Sequence, residues 1–169
     1  MTKVKWLVIS AAGVAILFVA LNYSLQHGPT AAEYTHSMNE KWNFALPEPV
    51  DYEELWGTPS SFLGDGEWLT VLTYDKAIKD PESMGLVEVT EENIDEVRDH
   101  LDFFRSRTVE IYTGNEETQA EIENVFSENP VEVSIGDYFH HQTNRDDYDT
   151  FTAVYSVEQK KIWLHEWHQ

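Results

Sequence analysis

Residues 131–169 read VEVSIGDYFHHQTNRDDYDTFTAVYSVEQKKIWLHEWHQ, and the architecture turns on them. Three runs rich in β-branched and aromatic residues, Val131 to His141, Phe151 to Val157 and Ile162 to Trp167, are joined by short polar connections. Such runs form strands, and short links make sequential strands antiparallel, so a C-terminal three-stranded meander is expected. Side chains alternate across a strand, which groups Val133, Ile135 and Phe139 on one face, and likewise Phe151, Ala153, Tyr155 and Val157. With Glu158 and Gln159 as a two-residue turn, Val157 opposes Lys160, and Ile162 and Leu164 join that core face. Keeping the apolar faces together pairs Phe151 with His141 and sets Thr152 between His140 and His165. Trp163, His165 and Trp167 then point the other way, so the sheet needs cover on both sides.

Upstream, Thr90 is the expected cap of a helix whose Ile94, Val97, Leu101 and Phe104 recur at spacings of three and four. Acidic residues crowd its first turn, and Arg105 and Arg107 its last, as the helix dipole favours. Thr108 to Thr113 reads as a short strand, Gly114 as a break, and Asn115 as the cap of a second helix with Ile122, Val125 and Phe126 on one face and Pro130 at its close. Further back, Ser61-Phe62-Leu63 and Glu67 to Tyr74 flank Gly64-Asp65-Gly66, which suits a tight hairpin. Asp51 to Trp56 reads as a short helical turn. Residues 26–50, with Gly28, Pro29, Pro47 and Pro49, sustain no periodicity and read as a tether, although Trp42, Phe44 and Leu46 alternate and suit an extended edge docked on the domain. Without internal repeats, this order indicates one α+β domain with an antiparallel sheet and two helices.

The chain has 169 residues, 41% of them hydrophobic, enough for one ordinary core. It has no cysteine, which excludes disulfides, thiolate metal sites and cysteine nucleophiles. Lys3 and Lys5 are the only charges before Glu33, so beyond residue 25 nine basic residues face thirty-one acidic ones, a balance of −22. Such a charge repels phosphate polymers and excludes nucleic acid as a partner, while a cell-surface protein with a basic patch is electrostatically permitted.

Between Trp6 and Leu25 twenty residues carry no charge, enough for a helix to cross a bilayer once. Lys3 and Lys5 precede this run and no basic residue follows until Lys41, so residues 1–5 stay in the cytoplasm, residues 6–25 form a signal-anchor helix, and residues 51–169 form an acidic domain outside the cell membrane. The alternative is a signal peptide cleaved near Ala32, after which the domain is secreted.

Four histidines, His140, His141, His165 and His168, fall within the meander and are the candidate metal ligands. Across two strand spacings, however, His140 and His165 stand about 9.5 Å apart, too far to share an ion held at about 2 Å, and His165 and His168 point to opposite faces. The loop from Asn144 to Asp149 is acidic enough to attract calcium but lacks the spacing of a helix-loop-helix calcium site. Trp163 and Trp167 are the candidate binding residues, as a flat platform for sugar rings or another protein. No nucleophile elbow, phosphate loop or dinucleotide fingerprint appears, so no cofactor and no catalytic residue is assigned. The expectation is a single-pass, membrane-anchored protein with a non-catalytic binding or accessory role. A small hydrolase or metal-dependent enzyme using the sheet histidines, and a glycan-binding module using Trp163 and Trp167, are the alternatives.

Overall fold

The computed structural model describes residues 29–58, 65–144 and 149–169. The apolar run 6–25, Ser61 to Gly64 of the expected hairpin and residues 145–148 of the acidic loop lie outside them. Among the described residues no helix is long and apolar enough to cross a membrane.

In chain order the elements are α1 (Ala31–Trp42), β1 (Asp51–Gly57), β2 (Gly66–Thr73), a 3₁₀ turn (Glu82–Met84), β3 (Val87–Glu88), α2 (Ile94–Ile111), α3 (Glu116–Glu128), β4 (Tyr138–Asn144), β5 (Asp149–Ser156) and β6 (Lys161–His168). The six strands form one antiparallel sheet in the order β1-β2-β6-β5-β4-β3, so the domain is α+β. The C-terminal meander is present as β4-β5-β6, and among the described residues three helices rather than two accompany the sheet.

Both faces are covered. On one, Met38 and Trp42 of α1 with Phe44 and Leu46 of the following segment pack on Leu72, Phe151, Ala153, Tyr155, Ile162 and Leu164. On the other, Phe104 of α2 and Ile122 and Phe126 of α3 pack on Leu69, Val71, Trp163 and Trp167, while Val97 packs on Phe139 and Val154. Each large apolar side chain removed from water stabilises the fold by about 1.5–3 kcal/mol, before the ordering entropy is subtracted.

Residues 31–42, grouped with the tether, are therefore a helix within the domain's core. Its signals lie in the sequence: Thr30 and Glu33 form a reciprocal capping box, and Tyr34, Met38 and Trp42 recur every four residues. Asp51 to Trp56 is a strand and not a helical turn, because its backbone pairs with β2 across a bulge between Glu54 and Trp56. Thr108 to Ile111 continue α2 instead of forming a strand. Thr108 is fully buried and its hydroxyl donates to the Phe104 carbonyl at 2.8 Å, so the face begun by Val97 and Phe104 extends one more turn. The helix dipole is consequently not matched by Arg105 and Arg107, since the last turn of α2 holds no basic residue. Asn115 caps α3 as expected, its side chain accepting from the Thr118 amide at 3.2 Å.

Within the meander, β5 and β6 keep the expected register, Ser156 opposite Lys161 and Tyr155 opposite Ile162. Val157 to Lys160 form the connecting turn, and Val157 is exposed rather than in the core. The β4–β5 register differs by one residue: Phe151 faces Gln142, and Thr152 faces His141. A one-residue shift turns every side chain of β4 to the opposite face. Phe139 accordingly joins the α2 side, and His141 replaces His140 beside Thr152. The strand also starts later than Val131, because Ser134 to Asp137 form a turn with Gly136 at φ 91°, and the buried Asp137 carboxylate accepts from the Ser134 and Val157 amides.

Candidate functional site

Alternation along β6 divides its polar residues between the two layers. Glu166 and His168 face α1, and His165 faces α2 together with Trp163 and Trp167.

On the α1 side Glu166, 4% exposed, is the centre of a buried network. One of its carboxylate oxygens accepts from Lys41 Nζ at 2.8 Å and from the Trp42 indole at 3.1 Å, and the other from the Tyr34 hydroxyl at 3.5 Å. His168 places Nε2 3.4 Å from Glu166 and Nδ1 3.4 Å from Asp149, both carboxylates being nearly buried. Trp42 and Trp68 border the same imidazole, and the Lys41 ammonium lies within 6 Å of both indoles. Burial alone would raise the Glu166 pKa; the hydrogen bond from His168 and the charge and hydrogen bonds of Lys41 and Trp42 outweigh it and hold the carboxyl below its usual range. Nearby, desolvation and the Glu166 charge raise the pKa values of Tyr34 and Glu54. Lys41, Trp42 and Tyr34 belong to α1, so the network is a polar joint between that helix and the central strand.

On the α2 side, His141 Nδ1 lies 2.8 Å from the Thr152 hydroxyl, and the His141 ring stacks on His100 of α2 at 3.8 Å. Desolvation, then the neighbouring His100 and His140, push the His141 pKa down to about 4. His165 is 3% exposed, and burial pushes its pKa down to about 3. Phe104 stacks on its ring at 4.4 Å, and neither ring nitrogen has a hydrogen-bond partner among the described residues.

The four candidate histidines therefore split into two pairs on opposite faces. His140 lies on the α1 side, with Nδ1 2.9 Å from the Gly85 carbonyl and its ring against Phe44. His168 shares that face but is engaged by Glu166 and Asp149, while His141 and His165 share the other face with Thr152 between their strands. Among the described residues no group of three or more histidine, aspartate or glutamate side chains is arranged to hold a metal ion. Trp163 and Trp167 are 4% and 7% exposed beneath α2 and α3, where a sugar ring would have to displace Phe104, Ile122 and Phe126. Asp149, at one end of the acidic loop, turns inward to His168 and accepts from the Gln169 amide at 3.2 Å.

Sequence reasoning missed Glu166, Lys41 and Trp42. The capping box at Thr30 was the available signal for α1, whereas nothing local shows that α1 covers β6. Comparison of the chain with known protein families, with curated proteins and with solved structures finds no match.

Proposed function

We propose that this chain is a membrane-tethered, non-catalytic binding or accessory protein, with residues 6–25 as its anchor, its domain outside the cell and a basic protein surface as its partner. The observation that carries this proposal is the contrast between the inside and outside of the α2–α3 layer. Of the candidate groups of the meander, His165, His168, Trp163 and Trp167 are buried and His140 and His141 half-buried, on opposite faces of a covered sheet. Outside, the two helices present ten exposed carboxylates, among them Asp95, Glu96, Asp99, Glu116, Glu117 and Glu121, against the exposed Arg98, Arg105 and Arg107. A surface of one sign attracts and orients an oppositely charged partner.

An uncleaved anchor is favoured by what lies just after it. Thr30 caps α1, the Pro29 carbonyl accepts from the Tyr52 hydroxyl at 2.5 Å, and Tyr34 stacks on Tyr52 at 4.9 Å. Cleavage near Ala32 would remove the cap and the Pro29 contact.

The test is crosslinking capture from intact membranes with the full chain as bait, repeated over a range of ionic strength. The expected result is a reproducible partner with a basic surface whose capture weakens as salt rises. A partner held equally at high salt, or none, rejects the electrostatic part of the proposal. Protease added to whole cells is expected to digest the C-terminal domain, and a domain cut only after lysis rejects its placement outside.

A further inference from the structure

The register of β1, β2 and β6 sets Glu53, Val71 and Trp163 side by side, on the face of the sheet that α2 and α3 cover. Beside that row, at the end of α3, lies a half-open cavity of about 280 Å³. The buried Val71 and Trp163, with the half-buried Leu55, form its apolar floor. The rest of the lining is charged. Glu53 comes from the edge strand, Glu128 and Glu132 from the last turn of α3 and the segment beyond it, all three exposed, and Lys161 from the start of β6. Among the described residues none of these four groups takes part in an ion pair. Three carboxylates against one ammonium leave a balance of −2. The last turn of α3 holds no basic residue, so the negative end of its dipole adds to the same potential.

We propose that this cavity receives one arginine side chain of the basic partner, an inference that rests on the partner reading above and names where that partner is held. The lining matches a cation carried on a flexible apolar stem: the methylenes lie on Leu55, Val71 and Trp163, and the charged head stays among the carboxylates. A guanidinium is favoured over an ammonium because it is more weakly hydrated and presents five donors in a fixed plane, enough for carboxylates that arrive from the sheet and from α3 together. The volume falls just under about 300 Å³, where sites for small molecules begin, and so suits a single extended side chain. The charge balance opposes an anion, and Lys161 weakens the fit for a cation without reversing it. Glu128 is also one of the carboxylates outside α2 and α3, so the surface that attracts the partner runs into the cavity that holds it.

The test is NMR of the ¹⁵N-labelled full chain in a neutral detergent, titrated with Nα-acetyl-arginine amide and separately with the citrulline analogue, which has nearly the same shape and no charge. The arginine compound is expected to shift the Trp163 and Lys161 signals saturably at millimolar concentration, and the citrulline compound to bind about tenfold more weakly, as loss of several partly exposed ion pairs implies. Glu53→Gln combined with Glu132→Gln changes two exposed side chains, so the fold is kept, and is expected to weaken arginine about fivefold. Lys161→Gln is expected to tighten it, whereas the same charge change made at the exposed Glu48 and Glu92 leaves it nearly unchanged. In the crosslinking capture described above, the Glu53→Gln, Glu132→Gln chain is expected to retain less of the partner than the wild type. Absence of a saturable shift, equal binding of arginine and citrulline, or equal binding by wild type and the double variant overturns the proposal, even where capture of a basic partner is salt-sensitive. Saturable arginine binding that the double variant weakens, with no partner captured at any salt concentration, supports the cavity as an arginine site and overturns the partner reading instead.

Discussion

At His165 and His141, burial holds two imidazoles neutral at pH values where free histidine is half charged. In the unfolded chain these groups titrate near 6.5, but in the fold near 3 and 4. Between the two limits the unfolded state binds protons that the native state refuses, so stability must fall as the pH is lowered from about 6.5. The slope is up to about 1.4 kcal/mol per pH unit for His165 and less for the half-buried His141. Glu166 adds a second loss: its lowered pKa stabilises the fold above the ordinary glutamate range, and that contribution disappears as the pH falls through its folded value. Urea midpoints measured from pH 7.5 to 4 are expected to drop continuously, with a shallower upper slope in His165→Phe; flat midpoints would contradict the burial argument. Glu166→Gln is expected to destabilise the domain by about 2–4 kcal/mol at neutral pH, moderated by the access of Lys41 to water, as read from denaturant midpoints. That His165 and His168 point apart follows from strand alternation alone. Which partners receive them does not, because Phe104 and Trp42 come from helices far away in the chain and Asp149 from the neighbouring strand.

Among the elements, α1 shows where sequence reasoning stopped short. Thr30-Ala31-Ala32-Glu33 carries both a helix-start signal and a small-residue cleavage signal, and Tyr34, Met38 and Trp42 complete a helical stripe. Thr30→Ala is expected to destabilise the domain by about 1 kcal/mol and to fray the first turn, which hydrogen exchange at the Glu33 and Tyr34 amides would report. In α2 the β-branched Thr108, Val109 and Ile111 suggest a strand locally, but a buried face in register with Val97 and Phe104 overrides propensity. The slip in β4 has a related cause. Register follows from apolar alternation only when one face is buried and the other wet, and here Phe139 is as well accommodated against Val97 as Phe151 is against Trp42. The β5–β6 register, pinned by a short turn, needed no such information.

For the whole molecule, the layer order of helix, sheet and helix pair was foreshadowed by the two apolar faces of the last strand, whereas the number of strands was not. β1 and β3 are partly polar edge strands whose pairing is read only in three dimensions. A charge balance of −22 beyond the apolar run makes self-repulsion a general destabilising force on this compact fold. Adding salt screens it, so the melting temperature is expected to rise between low and physiological ionic strength, by about 2–4 °C per kcal/mol recovered. Differential scanning calorimetry checks this, and a fall in melting temperature would mean that attractive pairs such as Lys41–Glu166 dominate. The place of β6 between β2 and β5 carries one more consequence. It follows the other five described strands along the chain, so during synthesis the β1–β2 and β4–β5 hairpins wait as separate halves, each with an open edge, until β6 emerges to join them. A nascent chain of this kind stays open to chaperones for as long as its keystone is unmade.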